Sequence, residues 1–143
     1  MALELIPLCN ATVSLAPPII VGTTPSGSRM IFEVNEVRFE GERLKGSMKG
    51  AAGADWLVVS ADGAVGTLDV RVTIETDDGA LVYAHYYGRT DTSAGPGASP
   101  IYTAPLFETG DERYAWLNRI LAVAKGEISA DLSTLVYEMY ELR

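Results

Sequence analysis

The chain has one cysteine, Cys9, and one histidine, His85, among 143 residues. A lone cysteine excludes an internal disulfide. One His and one Cys cannot build a zinc site of the usual kinds. No apolar run approaches the roughly 18–20 residues that carry a helix across a bilayer, so a membrane span is not expected. Basic residues are scarce: 11 Lys+Arg stand against 19 Asp+Glu, a net charge of −8, with a pI of ≈ 4.5. That field repels phosphate backbones, so nucleic acid is not an expected partner. The start Met1-Ala2-Leu3-Glu4 lacks the basic n-region of a secretory signal. With the unpaired cysteine, it sets the expectation of a reducing, cytoplasmic setting. Also missing are a glycine-rich phosphate loop between strand and helix, a nucleophile elbow and a Ser–His spacing of the triad kind. Nothing calls for a metal or a cofactor.

What is present is a core. Hydrophobic residues make up 48% and charged residues 21%, and the mean hydropathy is +0.13. These values exclude a disordered chain. The length suits one domain over residues 1–143, which would bury roughly 70% of its unfolded surface.

The dominant pattern is alternation with a period of two. Cys9, Ala11, Val13 and Leu15 alternate with Asn10, Thr12 and Ser14, and Pro17-Pro18 ends the run. Ile19-Ile20-Val21 reads as a short edge strand, and Thr23 to Ser28 as a loop around Pro25 and Gly27. Met30, Phe32 and Val34 form one apolar row, which Val37 and Phe39 continue with shifted parity. A β-bulge near Asn35-Glu36 accounts for the shift. Leu44, Gly46 and Met48 alternate next, Gly50 to Gly53 is a break, and Leu57-Val58-Val59 is a short buried strand.

Thr67 to Arg89 is a hairpin with Asp77-Asp78-Gly79 at its tip. A two-residue loop would mix charges with an apolar row. A three-residue loop with Gly79 left-handed pairs Thr76 with Ala80 and gathers Leu68, Val70, Val72, Ile74, Val82, Ala84 and Tyr86 on one face. Asp69, Arg71, Thr73 and Glu75 then lie opposite Tyr87, His85, Tyr83 and Leu81. Gly88 to Pro100 reads as a long loop, either an exposed connection or a lid. Ile101 to Glu108 is a strand. Thr109 with Glu112 forms a capping box for a short helix over Asp111 to Asn118. Ile120 to Ile128 and Leu135 to Leu142 finish as strands. The sum is an all-β chain, an antiparallel barrel of about eight to ten strands with one short helix, because closure removes the sheet edges.

Three segments carry a family resemblance: Gly53-Ala54-Asp55-Trp56-Leu57; Leu68-Asp69-Val70-Arg71 with Thr76-Asp77-Asp78-Gly79-Ala80; and Phe107-Glu108-Thr109-Gly110 with Tyr114-Ala115-Trp116-Leu117-Asn118-Arg119. The third is the most specific. Over nearly its whole length the chain resembles the domain of unknown function family 3237, small and mostly bacterial proteins. The resemblance implies a lipocalin-like β-barrel and carries no catalytic residues with it.

Three constellations are candidates for chemistry. Asp69, Arg71 and His85, with Tyr83 and Tyr87, supply groups for proton transfer and for holding an anionic or phenolic group. The same row also reads as a solvated outer face with a cross-strand ion pair. Three of the seven tyrosines fall between Tyr83 and Tyr87, which favours a cavity. Asp55 with Trp56 would cap a barrel mouth, its carboxyl pKa raised by apolar surroundings, or Trp56 would plug the barrel end. Glu108 stands with Tyr114, Trp116 and Asn118 of a helix that would close one barrel end, and would be a base inside or simply an acid near the helix N-terminus. The resulting expectation is a small apolar or aromatic molecule inside the barrel. Asp69 or His85 would move a proton, Arg71 would stabilise negative charge, and Tyr83, Tyr87, Asp55, Trp56, Glu108 and Trp116 would contact the ligand. The alternative is a non-catalytic homo-oligomer packed through rows such as Val70, Val72, Val82 and Ala84.

Overall fold

A strand that alternates apolar and polar residues must find an apolar layer for one face. A ring of such strands does so by curling around a shared interior. The computed structural model describes residues 1–143 and shows this solution. Its strands are β1 (Leu5–Leu15), β2 (Ile19–Thr24), β3 (Gly27–Glu40), β4 (Gly46–Met48), β5 (Ala54–Val59), β6 (Val65–Thr76), β7 (Leu81–Asp91), β8 (Ile101–Glu108), β9 (Ala122–Ile128) and β10 (Thr134–Leu142). A 3-10 helix spans Glu112–Arg119. The antiparallel order runs β1-β10-β9-β8-β7-β6-β4-β3, and β3 pairs back onto β1 to close the ring. β4 and β5 each bridge β3 and β6 at different heights. β2 lies outside the ring as an edge strand on β3.

The hairpin takes the three-residue register. Thr76 N–H donates to Ala80 O, Gly79 has φ +95°, and Asp69 pairs with Tyr87 and Arg71 with His85. The bulge falls at Asn35, since Ser14 pairs with Glu36 and Leu15 with Val34. The apolar rows turn inward: Val70, Val72, Val82 and Ala84 are all buried. They form the core of the barrel and are not available as a subunit interface.

Two local expectations are corrected. The loop after β7 is shorter than Gly88–Pro100, because β7 continues to Asp91. The helix is capped by Asp111, whose side chain accepts the Arg113 N–H at 2.9 Å. Thr109 instead donates to Leu81 O at 2.7 Å and ties the helix approach to the hairpin. Asp111 wins because it stands one residue before the helix and its carboxylate meets the free amides of the first turn.

The two ends of the barrel differ. The helix closes one, and its own Leu117 is fully buried. The loops that follow β1, β5, β7 and β9 surround the other.

Candidate functional site

Strand parity decides which side chains see the interior. β5 is held between β3 and β6, with Asp55 opposite Phe32 on one side and Val70 on the other. Both neighbours are buried inward residues. Asp55 therefore shares the inner row with Leu57 and Val59, and Trp56 points outward. Trp56 is 39% exposed and plugs nothing.

Asp55 lies in a cavity of ≈ 340 Å³ that opens at the loop end. Its walls are Leu15, Met30, Phe32, Leu57, Val59, Leu68, Ile101, Ile128 and Leu135. Pro18, Gly63, Thr92, Pro96, Gly97 and Leu132 surround the mouth. The Ser/Gly/Pro-rich loop after β7 thus flanks the opening through Pro96 and Gly97. Asp55 is the one ionisable residue in the lining.

Its environment is unusual for a carboxyl. Asp55 is 9% exposed. Burial pushes its carboxyl up to about 7, and the nearby Asp69 charge adds to the rise. The Asp69 N–H donates to Asp55 Oδ1 at 3.1 Å and pulls the other way, as does the more distant Arg29 charge. Desolvation wins because no cation enters the cavity to offset it. Two buried phenols belong to the same interior. The rings of Tyr86 and Tyr137 meet edge to face, with centroids 5.7 Å apart. Burial raises the pKa of both hydroxyls, and the Asp55 charge adds to that rise. Tyr137 Oη and Thr103 Oγ1 are buried without a hydrogen-bond partner. Gly126 faces Tyr137 across the β9–β10 ladder, and a Cβ there would sit 2.5 Å from the tyrosine ring. Only glycine leaves room for that ring.

The expected Asp69–Arg71–His85 row is assembled, but on the outside of the barrel. His85 Nε2 lies 2.9 Å from Asp69 Oδ1, with the two side chains 25% and 30% exposed. The His85 ring stacks parallel to Tyr83 at 6.5 Å and tilts against Tyr87 at 4.8 Å. Arg71 and Tyr87 are exposed. The expectation that this row encloses a ligand is overturned, because its apolar partner row claims the interior. Glu108 is also exposed, at the outer end of β8. Trp116 sits at the closed end, where the Arg43 guanidinium lies 4.6 Å from its ring centroid. Of the residues expected to touch a ligand, Asp55 alone lines the cavity. Sequence reasoning missed its companions Met30, Phe32, Leu57 and Leu68, since an apolar cavity wall and a filled core have the same pattern.

A second buried carboxyl shows the opposite electrostatics. Glu141, at the helix end, is 6% exposed. Its oxygens meet Arg43 Nη2 at 2.6 Å and Arg143 Nε at 3.0 Å. Hydrogen bonds from Arg143 and then Arg43 hold it below the usual carboxylate range. No group of three or more His, Cys, Asp or Glu is placed to hold a metal. No helix is long and apolar enough to cross a membrane.

Comparison with known proteins agrees with this architecture. The chain is 31% identical to a β-barrel-like protein from Acinetobacter baumannii, with a TM-score of 0.88 over 100% of this chain and 98% of that one. An enzyme from Penicillium herquei shares the fold at a TM-score of 0.72 and 24% identity, over 99% of this chain and 94% of that one. A UPF0311 protein from Rhodopseudomonas palustris is 28% identical over 122 residues, 77% of this chain and 78% of its own length. The model of the protein of unknown function family DUF3237 matches residues 3–142, and the chain belongs to that family.

Proposed function

We propose that the chain binds a small apolar or aromatic organic molecule in the open end of its barrel and acts on it by acid–base chemistry through Asp55. The observation that carries this reading is one carboxyl, poised at about 7, in an otherwise uncharged apolar cavity. Ligand sites are commonly concave, apolar and supplied with few polar groups. A general acid or base works best when its pKa lies near the operating pH, and burial is a usual way to bring a carboxyl there. Proton transfer of this kind suits a lyase, isomerase, hydratase or cyclase and needs no cofactor. The enzyme from Penicillium herquei shares only the fold, yet it is an example of this barrel in an enzyme. The lone, buried Cys9, whose thiol burial pushes up to about 12, suits a reducing cytoplasm.

The test is a thermal-shift screen of small hydrophobic compounds against the wild type and Leu57→Trp, which fills the cavity. Native-state ligands raise the melting temperature by mass action. Hits that shift the wild type and not the filled variant support the reading. Hits that shift both equally refute it. Any turnover found with a hit should disappear in Asp55→Asn.

A second reading, a homo-oligomer without catalysis, draws on one observation. Tyr87, Tyr102 and Leu106 are 58%, 56% and 52% exposed on the outer face of β7 and β8. Exposed apolar groups clustered on one face mark contact surfaces. Native mass spectrometry of wild type and Leu106→Glu decides it: a dimer that the variant dissociates supports this reading, and a wild-type monomer ends it.

A further inference from the structure

The cavity also specifies what kind of molecule it suits, granted the reading above that a ligand binds there. Its lining contains no lysine, arginine or histidine. An anionic ligand would therefore bury a charge with no cation to meet it, beside a carboxyl of the same sign. Carboxylates, phosphates and nucleotides are poor candidates on that ground. A cationic amine fails for a different reason. An ammonium brings three donors, and each needs an acceptor once buried. Apart from three hydroxyls, Asp55 is the only side-chain acceptor in the lining. The hydroxyls of Ser28, Thr90 and Thr92 belong to the strand and loop ends that form the mouth.

A single neutral oxygen has no such deficit. A hydroxyl can donate to the ionised Asp55 carboxylate, and a carbonyl can accept from the protonated carboxyl. The fold leaves Asp55 free for this. The Asp69 N–H at 3.1 Å meets one carboxyl oxygen, Oδ1, and no cationic side chain pairs with either oxygen. β5 runs from Asp55 at the floor to Val59 near the mouth. The ligand's oxygen therefore goes in first and its hydrocarbon body lies against Leu57, Leu68, Ile101 and Leu135. A space of ≈ 340 Å³ suits a body of a few fused rings or a compact branched chain. We propose that the ligand is a neutral lipophilic molecule with one inward-pointing hydroxyl or carbonyl oxygen, bonded to Asp55.

Isothermal titration calorimetry with five matched probes tests this: naphthalene, naphthol, acetylnaphthalene, naphthoate and naphthylmethylamine. Naphthol and acetylnaphthalene should bind about tenfold more tightly than naphthalene, the gain of one good hydrogen bond. Naphthoate and naphthylmethylamine should bind more weakly than naphthalene. Asp55→Leu should remove the advantage of the oxygen-bearing probes over naphthalene. Asp55→Asn keeps a donor and an acceptor, and should retain part of the preference. Naphthoate or naphthylmethylamine binding more tightly than naphthol would overturn the ligand class and leave the cavity standing. So would naphthalene matching naphthol, or an oxygen preference that survives Asp55→Leu. If none of the five binds the folded wild type, the cavity itself is not a ligand site and the inference fails with it.

Discussion

The two ends of the barrel each bury one carboxyl, and the two carboxyls are driven in opposite directions. At the helix end, Glu141 is clasped by Arg43 and Arg143 and held low. At the loop end, Asp55 has apolar walls and a single backbone donor, and it is raised to about 7. Both side chains expose little surface, but Asp55 lies deep among apolar walls whereas Glu141 sits just under the surface between two guanidinium groups. Depth and partner act together: a cation replaces the water that a carboxylate loses, and an aliphatic wall does not. Glu141 reads as a fastening for the closed end. Asp55 reads as a group kept ready to change its charge.

This contrast predicts several measurable differences. The largest concerns packing. Leu117→Ala in the helix should cost about 2–5 kcal/mol, because the closed end is filled and a void must form. Leu132→Ala at the mouth should cost less than about 1 kcal/mol, since that side chain already borders open space. Chemical denaturation of both variants checks the pair, and equal losses would erase the distinction between a filled and an open end.

The next largest is a pH dependence. An acid raised on folding binds its proton more tightly in the native state than in the unfolded chain. The native state is therefore favoured below the unfolded value of 3.8, and that advantage is lost as pH rises towards about 7. At about 1.4 kcal/mol for each pH unit, the ceiling is roughly 4 kcal/mol. Asp55→Asn should flatten the stability profile across that window and be more stable than wild type at pH values above about 7. The outer-face variant Asp69→Asn should keep most of the slope, because the Asp69 charge is a smaller cause of the rise than burial. Denaturation midpoints across the pH series give the answer.

Glu141→Gln should have the opposite sign to Asp55→Asn, destabilising by about 1–2 kcal/mol at neutral pH. It weakens the anchor of Arg43, whose Nη1 is already buried without a partner. The smallest effect belongs to the outer face. His85→Ala should change stability by no more than about 0.5 kcal/mol, the usual scale for a surface site. Its ligand binding should match wild type.

Much of the fold was legible because it follows from parity. The hairpin register, the bulge at Asn35 and the edge strand at Ile19–Val21 all follow from where apolar residues must go. Alternation tells which residues share a face and does not tell which face is inside. Asp69, Arg71 and His85 do sit together, but seven apolar residues on the facing row outweigh them for the interior. The clue to the cavity lay in Ala54-Asp55-Trp56-Leu57-Val58-Val59. Read as one strand, it places Asp55 in an apolar row, a costly position that invites a functional reading. The cavity walls were not legible, because a row of Leu, Ile and Phe looks the same whether it meets another side chain or a ligand. The glycines at 88 and 126 were a fainter signal. Glycine inside a strand marks close approach, and here it makes way for Thr103 and Tyr137.

The most direct test is a titration of the Asp55 carboxyl carbon by NMR, with Asp55→Asn to assign the resonance. The account predicts a midpoint near 7, well above the other aspartates. A midpoint at the ordinary value of about 4 would contradict it, since the carboxyl would then be solvated or paired and the cavity would hold no poised proton.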